Sequence, residues 1–123
     1  MAEKTLYERL GGYDGIETFV NNLLPRLQSD AQLRRFWQHR GDDGLAREKQ
    51  LLIDYLCANA GGPVYYTGRD MLLSHKGMKI SEEDWTIFLN HAAATMEALQ
   101  VPKQECDDVV AFVLSLKEDI VEA

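Results

Sequence analysis

The chain has 123 residues, 46% of them hydrophobic, which suits one domain over residues 1–123 with its own core and leaves little room for two. Thirteen Lys and Arg stand against 20 Asp and Glu, a formal net charge of −7. That balance argues against a nucleic-acid partner, which needs a basic surface, and against an anionic membrane face. No run of about 18 apolar residues exists to span a bilayer, and the opening MAEKTLYERL lacks an apolar leader. Cys57 and Cys106 form no CxxC pair. Both are expected as reduced thiols in a cytoplasmic protein.

Apolar residues recur at the helical period of about 3.6, and no segment alternates as a strand does, so the expected fold class is all-α. A short first helix covers Thr5 to Leu10 and stops at Gly11-Gly12. A second opens near Asp14 as its cap, with an apolar stripe of Ile16, Phe19, Val20, Leu23, Leu24 and Leu27. Pro25 should kink it without ending it. Ser29 or Asp30 starts a short helix that ends in Phe36-Trp37, and His39 to Gly44 reads as a polar loop. The next helix runs from Leu45 to Asn59, with Leu45, Leu52, Tyr55 and Leu56 on one face, and stops at Gly61-Gly62-Pro63. Val64 to Gly68 is loop, followed by a short helix from Arg69 to Lys76 that Gly77 closes. Ser81 and Asp84 form a capping box for a long helix carrying Trp85, Phe88, Leu89, Ala92, Met96 and Leu99. Val101-Pro102 breaks it, and a last helix is expected from Lys103 to Val121, with Val109, Val113, Leu116 and Ile120 inward.

The usual catalytic motifs are missing. There is no HExxH, no GxSxG and no P-loop, and the many carboxylates read as a solvated surface. Three histidines remain. His39 sits in the polar loop, and His91 lies at the edge of its helix's apolar face, where a hydrogen-bonded packing role is expected. His75 ends a short helix between glycine-containing loops, with Met71 and Leu72 one turn before it. Such a histidine is either a core residue or a ligand. A haem iron asks the chain for one neutral imidazole and apolar walls. Leu24, Phe36, Trp37, Leu52 and Tyr55 supply one wall and Phe88 another, although core packing accounts for the same pattern. Gly61, Gly62 and Gly68 flank the loop before His75, and at least one of them is expected at positive φ.

Four segments in order, LYERLGG (Leu6 to Gly12), RFW (Arg35 to Trp37), GGPVYYTGRDM (Gly61 to Met71) and SHKGMKIS (Ser74 to Ser81), resemble the truncated haemoglobins, the first group most closely. The resemblance implies a two-over-two helical sandwich around a b-type haem (heme b), with its iron ligated by His75. It places the aromatic that wedges against the haem on Trp37, with Phe36 the rival, and an apolar residue near the proximal histidine on Phe88. Many first-group members carry a tyrosine on the second helix that donates to bound oxygen; that position here is Leu24. Their distal glutamines fall near Glu48 and Leu52. The donors left are the Trp37 indole and the Tyr55 hydroxyl. Lys49, Arg69, Lys76 and Lys79 are candidates to meet the haem propionates. The implied role is reversible binding of a diatomic gas such as oxygen, NO or CO. Its alternatives are a haem enzyme (a nitric-oxide dioxygenase or a peroxidase-like activity, served by a reductase) and a haem-free helical interaction module. The leucine at position 24 favours binding over turnover. No oligomeric state follows from the residues.

Overall fold

The computed structural model describes residues 5–37, 41–63, 66, 68 and 75–122. Helix α1 (Leu6–Arg9) is capped by Thr5, whose hydroxyl accepts from the Glu8 amide at 3.1 Å. Gly11 and Gly12 then take φ of 96° and 70°, which turns the chain sharply, and α2 (Gly12–Ser29) starts inside that turn. The expected cap at Asp14 is therefore corrected. Asp14 lies in the first turn of α2, where its charge complements the helix dipole. The helix continues through Pro25 to Ser29.

Asp30 organises the following turn. Its Oδ1 accepts from the amides of Gln32 (2.8 Å) and Leu33 (3.1 Å), and a 3₁₀ helix, Leu33–Phe36, follows with Trp37 as its C-cap. Helix α3 (Asp42–Asn59) begins three residues before its expected start, so the polar loop does not extend to Gly44. Asp42 and Asp43 sit in its first turn and favour an early start through the dipole, even with a glycine next to them. The helix ends as expected. Gly61 adopts φ 95°, and the Gly62 amide donates to the Cys57 carbonyl at 2.8 Å. Helix α1 is laid on this end, with the Tyr7 amide donating to the Ala60 carbonyl at 2.9 Å.

The expected helix from Arg69 to Lys76 lies mostly outside the described residues; His75 itself is helical. Helix α4 (Glu82–Ala98) opens with the expected capping box: the Ser81 hydroxyl accepts from the Asp84 amide, and the Asp84 carboxylate from the Ser81 amide, both at 3.0 Å. The single last helix is corrected to two, α5 (Lys103–Leu114) and α6 (Lys117–Ile120). At the break the Ser115 hydroxyl donates to the Phe112 carbonyl, and the Leu116 amide reaches back three residues to Val113 instead of four. A serine inside a helix competes for backbone acceptors in just this way.

Helix α2 is the shared element of the sandwich. Its Ile16 and Val20 pack with Ile53 and Cys57 of α3, and its Leu23 and Leu27 pack with Leu33 and with Ala92 of α4. Helix α5 packs on α4 and on α1. Among the described residues every regular element is helical.

Candidate functional site

The α2/α3 pair, the 3₁₀ turn and the segment around His75 line a half-open cavity of about 640 Å³. Leu24 lines it from α2, Phe36 and Trp37 from the turn, Leu52 and Tyr55 from α3, and His75 from beyond the glycine loop. These six expected site residues are thus brought together from four separated parts of the chain. Met71 and Leu72 lie outside the described residues, as do His39 and Arg69. Phe88 packs on the same buried cluster as Leu24, Phe36 and Trp37 but lines a neighbouring apolar cavity of about 430 Å³, together with Phe19, Leu23 and Met96, and its ring lies 5.7 Å from that of Trp85. Leu52 touches both cavities.

Residues that sequence reasoning passed over also line the larger cavity. Tyr66 comes from the glycine loop, Met78 from the segment after His75, and Gln28 from the end of α2; Gly68, already marked as flanking that loop, lines the cavity as well. The Tyr66 ring meets that of Tyr55 edge-on at 5.1 Å. A Cβ on Gly68 would stand 2.3 Å from the Tyr66 hydroxyl oxygen, so the Tyr66 ring folds over a residue without a side chain. Burial pushes the Tyr55 phenol upward, which keeps it a protonated donor. Of the expected propionate cations, Lys49 lines the cavity together with Arg47, which the sequence reading left out; Lys76 and Lys79 are exposed.

The aromatic turn is held from behind by two carboxylates. Asp84, 1% exposed, accepts from Gln32 Nε2 and from Arg35 Nη2, each at 2.6 Å. Burial alone would raise its carboxyl, but the Ser81 amide, Gln32 and Arg35 outweigh that and bring it to about 2. Asp30 Oδ2 stands 2.7 Å from His91 Nε2, so His91 has the packing role expected of it. The His91 bond, followed by the two amides of the turn, holds the Asp30 carboxyl below its ordinary range. The Arg35 guanidinium also lies 4.4 Å over the Phe36 ring.

This donor set fits a haem. Among the described residues no group of three His, Cys, Asp or Glu side chains could hold a bare metal ion. The cavity instead offers one imidazole, apolar and aromatic walls, and two cations beside the carboxylate of Glu48. A flat apolar macrocycle with anionic edges matches those groups, and the volume falls within the range of small-molecule sites, roughly 300–1,000 Å³.

The sequence profile of the bacterial-like globins matches residues 5–122. The chain belongs to that family. This globin is 28% identical to the group 1 truncated haemoglobin GlbN of Mycolicibacterium paratuberculosis over 94% of its own length and 83% of that protein. Its fold superposes on the truncated haemoglobin of Tetrahymena pyriformis in the Fe(III) form with a TM-score of 0.88, at 22% identity, covering 98% of this chain and 100% of the other. The 2/2 haemoglobin of Synechococcus, solved in the cyanomet state with covalently attached haem, gives 0.85 at 23% identity, covering 96% and 98%. The globin is therefore a two-over-two sandwich of the truncated type, and membership brings with it a haem- and gas-binding role. Among its described residues no helix is long and apolar enough to cross a membrane.

Proposed function

We propose that this globin is a cytoplasmic, one-domain haem b protein that binds diatomic gases reversibly, with His75 as the axial ligand of the iron. One observation carries the reading: His75 lines the same cavity as Leu24, Phe36, Trp37, Leu52 and Tyr55, although these residues come from distant parts of the chain. Haem, when bound, supplies the iron that takes the gas. The chain supplies the rest. Leu24 and Leu52 keep water from the gas side. Phe36 and Trp37 close one edge, braced by Arg35 and Asp84. Arg47 and Lys49 offer charge-assisted bonds to propionates. Tyr55 and Trp37 are the donors available to a polar ligand. Binding is preferred over turnover of nitric oxide or peroxide because Leu24 offers no hydroxyl; turnover would also call for a reductase.

Absorption spectra of the purified protein, oxidised and reduced, should show the bands of a haem. His75→Ala should yield largely haem-free protein, or haem recovered on adding imidazole, whereas His39→Ala should keep its haem. An unchanged spectrum for His75→Ala beside a bleached His39→Ala would overturn the assignment. A wild-type protein without haem bands would leave the interaction-module reading standing.

A further inference from the structure

The segment that follows His75 has an unusual backbone. Gly77 lies at φ 87° and Lys79 at φ 55°, a left-handed conformation that a residue with a Cβ seldom adopts. The Met78 amide donates to the His75 carbonyl at 3.1 Å, so this loop begins directly on the histidine's own peptide group. Both left-handed residues turn their amides toward one carboxylate. Gly77 N–H donates to Glu122 Oε2 at 3.1 Å and Lys79 N–H to Glu122 Oε1 at 2.8 Å, while Glu122 N–H donates to the Ile80 carbonyl at 2.9 Å. Backbone amides converging in this way form an anion-binding nest, here filled by a side chain of the same molecule.

Glu122 is itself fixed. It follows α6, whose buried Ile120 anchors this end of the chain, with the exposed Lys117–Glu82 pair at 2.7 Å adding little. We propose that Glu122 is a positioning residue for His75: the strap 121–122 clamps the loop 77–80 against the α4/α6 end of the sandwich and so sets the depth at which the imidazole enters the cavity. This rests on the reading of His75 as the iron ligand. It gives the α6 segment a task at the haem without touching it.

The variants are Glu122→Ala, which removes both acceptors, and Glu122→Gln, which keeps one carbonyl oxygen. Arg9→Ala serves as control, since it breaks the Arg9 ion pairs to Glu105 and Asp108, which join α1 to α5. Three quantities are read: the rate of haem loss to an excess of apomyoglobin, the iron–imidazole stretching band of the reduced protein, and amide hydrogen exchange of the haem-free chain. Glu122→Ala should lose haem about tenfold faster, the lower end of what removal of a supporting group behind a metal ligand costs. Its stretching band should shift, and the Gly77 and Lys79 amides should lose protection. Glu122→Gln should fall between it and wild type, and Arg9→Ala should match wild type in all three. Haem loss within twofold of wild type and an unmoved band in a folded Glu122→Ala or Glu122→Gln would overturn the proposal, whether or not the amides are released. Unprotected Gly77 and Lys79 amides in the wild-type chain would remove the strap alone. A wild-type chain that takes up no haem would defeat the His75 reading, and this role with it.

Discussion

Leu24 meets the cavity from α2 with a side chain that neither donates nor accepts a hydrogen bond. A hydrogen bond to a charge-bearing acceptor is worth roughly 1.5–3 kcal/mol, or about ten- to a hundredfold in a rate of release. Leu24→Tyr should therefore slow oxygen dissociation by about that factor, and carbon monoxide dissociation much less, because bound carbon monoxide carries less charge. Stopped-flow release decides it; equal oxygen rates in a folded variant would mean that a side chain at this position does not reach the gas. Asp84 supports a prediction of a different kind. Its folded carboxyl titrates at about 2 against an ordinary 3.8. The stabilisation is thus complete above about pH 4 and is lost as pH falls through 2, and it amounts to about 2 kcal/mol. Asp84→Asn should be clearly less stable than wild type near pH 6, with the gap narrowing between pH 4 and pH 2 in urea titrations followed by far-UV circular dichroism. A gap independent of pH would show that the network does not need the charge. Six cavity residues were legible in the sequence because helical periodicity and the family motifs agreed on them. Phe88, expected on a second wall, lines the adjoining cavity, and periodicity reports only that a side chain is inward and not which of two adjoining cavities it enters. Ile53 and Cys57, both 0% exposed, escaped notice for a related reason: α3 has a second apolar face, turned to α2, beside the one that lines the cavity.

Two elements meet without clearance where α1 is laid on the end of α3. Gly61 supplies the positive φ expected of this loop. At Gly62 the need is space, since a Cβ there would stand 2.4 Å from a carbon of the Tyr7 ring. Gly62→Ala should therefore cost about 1–3 kcal/mol through overpacking, read as a lower thermal midpoint. An unchanged midpoint would mean that α1 slides aside freely. The stop after Asn59 was plain from its glycines and proline. The starts of α2 and α3 were not, because glycines at φ 96° and 70° begin α2 without a side-chain cap, and acidic dipole pairing begins α3. The division between α5 and α6 was hidden because Val109, Val113, Leu116 and Ile120 keep helical spacing across it, while the Ser115 hydroxyl takes a backbone acceptor locally.

For the molecule as a whole, the helical class follows from the period of the apolar residues. The pairing of helices does not: the central place of α2 depends on side chains that periodicity marks only as buried, and it was the ordered motifs that pointed to the two-over-two arrangement. The surface ion pairs contribute little to holding that arrangement. Arg9 with Glu105 and Asp108 is part-exposed, and solvent screens such pairs, so Arg9→Ala should shift the thermal midpoint by no more than a few degrees, and less in high salt. The interface between α2 and α3 is different, because Cys57 is sealed within it and burial raises its thiol pKa. Cys106 is only half-buried, its thiol donating to the Val101 carbonyl at 3.4 Å. An alkylating reagent should consume the two thiols in sequence, Cys106 first and Cys57 only when α2 and α3 part. The second modification is then a clock for the breathing of the helix pair that walls the cavity. Occupation of that cavity should slow the clock, so the mass spectrum of a timed alkylation reports filling of the pocket without any optical signal from what fills it.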